Sequence, residues 1–124
     1  MNFKALLLAT AFSGALVSAG AQAADLTIGF SQIGSESGWR AAETTVSKAE
    51  AKKRNINFKI ADAQQKQENQ IKAIRSFIAQ GVDAIFLAPV VSTGWDSVLK
   101  EAKEANIPVV LLDRDIDPSG KDLY

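Results

Sequence analysis

The sequence of 124 residues contains no cysteine and no histidine. Those two absences together exclude Cys/His zinc sites, thiol nucleophiles, Ser-His-Asp triads and imidazole acid–base chemistry. Any catalysis would rest on carboxylates, Lys, Arg, Tyr or Ser. Without cysteine there is no disulfide to mark an oxidising compartment, and nothing against one either. An excess of either charge is also missing, because 14 Lys and Arg stand against 14 Asp and Glu. That balance leaves no basic field for nucleic acid and no polybasic patch for a membrane surface. Internal repeats are absent, as is any linker after the N-terminal segment. The length suits one domain around one hydrophobic core.

Long apolar runs are confined to the start. Met1-Asn2-Phe3-Lys4 is positively charged, Ala5 to Val17 is mostly small and apolar, and Ala21-Gln22-Ala23 has the A-x-A form of a cleavage site. This is the pattern of a secretory signal peptide over residues 1–23, removed after Ala23. A membrane anchor fits less well, since the run is short and broken by Ser13 and Gly14. The mature part, 24–124, is expected to be soluble and exported.

Beyond Ala23 two periodicities alternate. Leu26 to Phe30 reads as a buried strand. Trp39, Ala42, Val46 and Ala49 form the stripe of an amphipathic helix that Asn55 ends. Phe58 to Ala61 is a second strand, and Asp62 opens a polar loop. A second helix carries Ile71, Ile74, Phe77 and Ile78, with Glu68 in its first turn and Gly81 as a left-handed stop. Ala84 to Ala88, apolar on both faces, reads as a central parallel strand ended by Pro89. Thr93 and Asp96 fit a capping box ahead of a third helix with Trp95, Val98, Leu99, Ala102 and Ala105. Ile107 to Leu112 is the fourth strand. The order β-α-β-α-β-α-β predicts an α/β fold with a parallel, doubly wound sheet, most simply in the flavodoxin-like order 2-1-3-4. The fourth strand would then be an uncovered apolar edge, so the unit is expected to be incomplete, the opening part of a longer polypeptide.

In such a sheet, ligands bind at the carboxyl ends of the strands. The loop after the first strand, Ser31 to Arg40, carries Ser35, Glu36, Trp39 and Arg40. Asp113 and Arg114 follow the fourth strand. Strands one and four lie about 10 Å apart in this order, a gap that long side chains can bridge. A carboxylate accepts from sugar hydroxyls, a guanidinium donates in a fork, and an indole packs on the apolar face of a sugar. Plainer readings stay open for each. The loop could be an ordinary β-to-α turn, Trp39 could pack in the core, and Asp113-Arg114 alone is a common surface pair. Trp95 reads as core, and Lys66, Lys72 and Arg75 as exposed. Gly29, Gly34 and Gly38 lack dinucleotide-site spacing, no P-loop occurs, and the third strand ends in Ala88-Pro89 rather than a receiver aspartate. A flavodoxin-type phosphate loop is disfavoured by Glu36.

These residues resemble a known family. Gly29-Phe30-Ser31-Gln32, Asp62-Ala63-Gln64, Gln70-Ile71, Gln80 to Ile85, Ala88-Pro89, Ile107-Pro108-Val109 and Leu112-Asp113-Arg114 are similar to the N-terminal lobe of type I periplasmic sugar-binding proteins, the ribose/galactose-binding family. Gly29 to Glu43 and Ala88 to Trp95 resemble its galactofuranose-binding branch. The resemblance implies sugar contacts from Glu36, Ser37, Gly38, Trp39, Arg40, Asp113 and Arg114. It implies a monomeric solute receptor in the periplasm that closes two lobes on a monosaccharide, galactofuranose or galactopyranose. The partner would be an ABC transporter membrane permease, with no cofactor, no metal and no nucleic acid. The chain holds only half of such a site, so alone it is expected to bind sugar weakly. Competing readings are a carboxylate-pair glycoside hydrolase using Glu36 and Asp113, and an effector-sensing lobe of a repressor or chemosensory protein.

Overall fold

The structure, a computed structural model, describes residues 25–124, and the signal peptide expected at 1–23 lies outside them. The elements are β1 (Thr27–Gln32), α1 (Gly38–Lys53), β2 (Asn57–Asp62), α2 (Gln67–Ala79), β3 (Ala84–Leu87), α3 (Asp96–Glu104), β4 (Val109–Leu111) and a 3-10 turn at Pro118–Leu123. The four strands pair in parallel in the order β2-β1-β3-β4, as the alternating periodicities predict. Among the described residues no helix is long and apolar enough to cross a membrane.

Two apolar layers sandwich the sheet. Ile74 and Phe77 of α2 and Val98 and Leu99 of α3 pack with Ile85, Leu87 and Trp95 on one face. Phe30, Ile33 and Ala88 form the other, with Phe58 and Phe86 against them. The rings of Phe30, Phe58 and Phe86 meet at centroid separations of 6.0–6.5 Å, tilted or edge-on, the arrangement favoured by the aromatic quadrupole. Asn55 and Gly81 end α1 and α2 in the left-handed conformation, at φ 55° and 66°.

Three details differ from the sequence expectation. First, β1 runs two residues past Phe30: Ser31 and Gln32 pair with Ala61 and Asp62. A buried glutamine is tolerated there because its amide is bonded at both ends, donating to Glu43 Oε2 at 2.8 Å and accepting from the Ile33 N–H at 2.8 Å. Second, the apolar stripe of α1 faces outward: Trp39 and Val46 are each 65% exposed. The inner face is formed by Arg40, Glu43, Thr44, Ser47 and the buried Ala51, about one residue out of phase with the stripe. The Gln32 amide, bonded to Glu43 and reaching Thr44 at 3.4 Å, holds the helix in that rotation. Third, Thr93 is not a cap. Trp95 occupies that position with no side-chain cap bond, because its buried indole donates to the Val91 carbonyl at 2.8 Å while the Thr93 carbonyl accepts from Gln67 at 2.6 Å. Those two anchors fold residues 91–95 into a loop and set the start of α3.

Candidate functional site

The order of strands puts the chain segments after β1 and β4 on one edge of the sheet, separated by β3. Ser37 starts α1. Its hydroxyl accepts from the Arg40 N–H at 3.3 Å, and its carbonyl accepts from Ala41 at 3.0 Å, the arrangement of an N-cap. Capping at Ser37 places Arg40 in the first turn, one turn beyond Glu36. The Arg40 guanidinium lies 3.0 Å from Glu36 Oε1 and 3.8 Å from Asp113 Oδ2. Its side chain is only 11% exposed. Among the described residues the buried Nε of Arg40 has no hydrogen-bond partner. A guanidinium flanked by two carboxylates thus carries a buried donor without an acceptor, which costs about 1–3 kcal/mol.

Asp113 owes its position to an unusual backbone. Its φ is +66°, and the Arg114 N–H bonds to the Leu112 carbonyl at 2.7 Å. This is a γ-turn centred on a left-handed residue, a strained conformation that aspartate tolerates better than most. Strain of this kind collects at functional positions. The tight turn brings the Asp113 carboxylate back toward Arg40. Arg114 extends beside it, with Nε 4.0 Å from Asp113 Oδ2 and Nη1 donating to the Val90 carbonyl at 3.3 Å.

Glu36, Arg40, Asp113 and Arg114, expected as a set, are thus brought together. Trp39 is exposed beside them, which removes the core reading. Ser37 acts as the helix cap, and Gly38 is the exposed first residue of α1. Ser35 is exposed on the loop. Two residues in the site's framework were not anticipated. Gly34 is buried, and a Cβ there would fall inside the van der Waals radius of Glu36 Oε2 while touching Gln65 Cγ at 3.5 Å. Gln70 is fully buried and bonds the ends of β1 and β3. Its place at helical spacing before Ile74 and Phe77 is the one sequence signal that would have exposed it, a polar residue on a core stripe.

Chemically, the edge offers two carboxylates as acceptors, two forked donors and one open indole face. Among the described residues no group of three His, Cys, Asp or Glu is placed to hold a metal. The arrangement suits a small ligand rich in vicinal hydroxyls.

Comparison with known proteins agrees with this picture. Residues 28–124 match the family described as a periplasmic binding protein domain. Galactofuranose-binding protein YtfQ of Escherichia coli K12 is 70% identical over 122 residues, which are 98% of this chain and 38% of that protein. A solved galactofuranose binding protein superimposes with a TM-score of 0.78 at 76% identity, covering 80% of this chain and 33% of the other. The binding component of an arabinose ABC transporter from Shewanella sp. ANA-3, bound to α- and β-L-arabinofuranose, superimposes at 0.77 with 67% identity, covering 79% of this chain and 32% of the other. The chain thus spans 32–38% of the length of these relatives. They are binding proteins, not enzymes.

Proposed function

The chain belongs to the periplasmic binding protein family, and from that premise we propose that it forms the first lobe of the periplasmic receptor of an ABC sugar importer. In this reading the whole protein binds a monosaccharide between two lobes and delivers it to a membrane permease. The favoured sugar is galactose in its furanose form, with Glu36, Trp39, Arg40, Asp113 and Arg114 contributing this lobe's contacts, and Ser37 and Gly38 shaping the start of α1 around them. The residues 1–23 would direct export to the periplasm. The observation that carries the proposal is the nearly buried Arg40 guanidinium, flanked by Glu36 and Asp113 at one edge of the sheet. Sugar hydroxyls would bond the partly exposed Glu36 and Asp113 carboxylates and the terminal guanidinium nitrogens between them. Charge-assisted hydrogen bonds contribute about 1.5–3 kcal/mol each, so a few of them reach the roughly 8 kcal/mol of micromolar binding.

A hydrolase reading is weaker, because both carboxylates converge on one guanidinium. Glycoside hydrolysis asks instead for two carboxyl groups divided between acid and nucleophile or base roles. The furanose preference rests on the named relatives, of which one is bound to arabinofuranose.

The two tryptophans make the test direct. Of the two in this chain, Trp39 is exposed and Trp95 is buried at 1%, so a ligand at this edge acts on Trp39, and the Trp39→Phe variant separates its signal from all other emission. The whole protein is titrated with D-galactose, methyl β-D-galactofuranoside, L-arabinose and D-ribose. The expected result is a saturable change with the galactofuranoside at far lower concentration than with ribose, abolished in Trp39→Phe. A flat response to all four sugars overturns the proposal.

A further inference from the structure

Gln70 sits on the inner face of α2 with no solvent exposure. Burying an amide is costly unless both of its ends are bonded. Here its Nε2 donates to the Ala88 carbonyl at 2.7 Å and to the Ser31 carbonyl at 3.4 Å, and its Oε1 accepts from the Val90 N–H at 2.9 Å. These three groups lie where the chain leaves the sheet. β3 ends at Leu87, and Pro89, between Ala88 and Val90, has no N–H to offer a neighbouring strand. The side-chain amide of Gln70 therefore takes the place of a ladder and fixes the peptides on either side of Pro89, so that Val90 is held at its N–H. The Val90 carbonyl is the same group that receives Arg114 Nη1 at 3.3 Å. Arg114 is otherwise loosely held. Its side chain is 52% exposed, and its other polar neighbour, Asp113, is 4.0 Å away. An arginine carries about 2 kcal/mol of rotamer entropy, so its one backbone acceptor largely decides where the fork points.

We propose that Gln70 is a positioning residue for Arg114, acting through Val90, whose N–H it holds and whose carbonyl Arg114 meets, and so tuning ligand affinity without touching ligand. The proposal rests on the sugar-binding reading above for its consequence, but the linkage itself can be read without sugar.

Gln70→Met keeps the volume and removes both ends of the amide. Two measurements on the whole protein test it. In the first, 15N relaxation of the arginine Nε–Hε groups is compared with wild type. Arg114 is expected to lose order while Arg75, bonded to Glu101 on a different surface, does not. Unchanged order at Arg114 overturns the proposal. In the second, methyl β-D-galactofuranoside is titrated into a double-mutant cycle. Gln70→Met is expected to cost about tenfold in affinity when Arg114 is present, the value of one charge-assisted bond, and almost nothing in an Arg114→Ala background. Equal losses in both backgrounds mean that Gln70 only supports the fold, and overturn the proposal. If Gln70→Met does not fold, Gln70→Glu replaces it, because it retains the acceptor for the Val90 N–H. That variant is expected to lower the unfolding midpoint while keeping Arg114 ordered, and loss of both together overturns the proposal. A wild-type protein that binds none of the sugars overturns the sugar-binding reading, and the relaxation measurement then decides the linkage alone.

Discussion

Arg40 reaches from the first turn of α1 across the end of β3 to within 3.8 Å of Asp113, which follows β4. One ion pair thus joins two loops about 10 Å apart at their strands, two inter-strand steps. The Arg40 side chain is nearly buried, whereas Glu36 and Asp113 keep 35% and 24% exposure. The guanidinium is therefore the fixed centre of the site, and the carboxylates are the adjustable parts. Arg40→Met is expected to lower affinity for methyl β-D-galactofuranoside about 100-fold, the loss of two charge-assisted bonds. Arg40→Lys should recover only part of it, since an ammonium cannot form the fork. Isothermal titration of the whole protein checks both, and an affinity within threefold of wild type for Arg40→Met would remove Arg40 from the site.

Gly34 controls where the Glu36 carboxylate can lie. A side chain at position 34 would occupy the volume of Glu36 Oε2. The colliding atom is the end of a flexible side chain, so the fold can yield by releasing the carboxylate. Gly34→Ala is expected to break the Glu36–Arg40 pair and reduce sugar affinity about tenfold, while changing stability by less than about 1 kcal/mol, because partly exposed ion pairs contribute little. Titration and urea unfolding of the same preparation separate the two effects. A large loss of stability with unchanged affinity would contradict this reading.

Gly29 is constrained by the opposite kind of neighbour. The ring of Phe77, itself 5% exposed, lies directly against the Cα of Gly29, and an added Cβ would overlap its Cγ and both Cδ atoms. A buried ring packed between α2 and the sheet cannot swing aside. Gly29→Ala is expected to destabilise by about 1–3 kcal/mol through overpacking, read as a lower urea midpoint with an unchanged slope. An unchanged midpoint would mean that α2 can move away from β1.

The contrast between these two glycines shows where sequence reading stops. The strand order and the meeting of Glu36, Arg40, Asp113 and Arg114 were legible, because the β-α alternation forces parallel strands and puts the loops after β1 and β4 on one edge. The apolar run Ala84 to Ala88 could hardly be anything but a central strand. Rotation of α1 was not legible. Periodicity finds the apolar stripe of Trp39 and Val46, but the helix is turned by a tertiary bond from Gln32 to Glu43 that no local pattern reports. The γ-turn at Asp113 and the close approaches at Gly29 and Gly34 depend likewise on neighbours that only the folded chain supplies. The Thr93–Asp96 spacing matched a cap, yet the burial of Trp95 decided that turn.

Far from the site, Arg75 of α2 and Glu101 of α3 form a two-pronged pair, with Nε and Nη2 donating at 2.9 and 2.8 Å. The hydrogen bonds from Arg75 hold the Glu101 carboxyl below its ordinary 4.5, against desolvation that pushes it up, and Ser97 adds a further bond. A carboxyl whose folded value is depressed binds its proton more weakly in the folded chain than in the unfolded one. Its contribution to stability is therefore fully present above the unfolded value of about 4.5 and disappears as pH falls through the lower folded value. Arg75→Met is expected to be less stable than wild type at neutral pH, and the difference should close progressively below about pH 4.5. Because the pair is exposed, salt at about 1 M should narrow the gap at neutral pH as well. Urea midpoints measured across the acid range decide the matter: a gap that persists unchanged to low pH would show that Arg75 supports the α2–α3 contact by packing its aliphatic stem and not through the charge of Glu101.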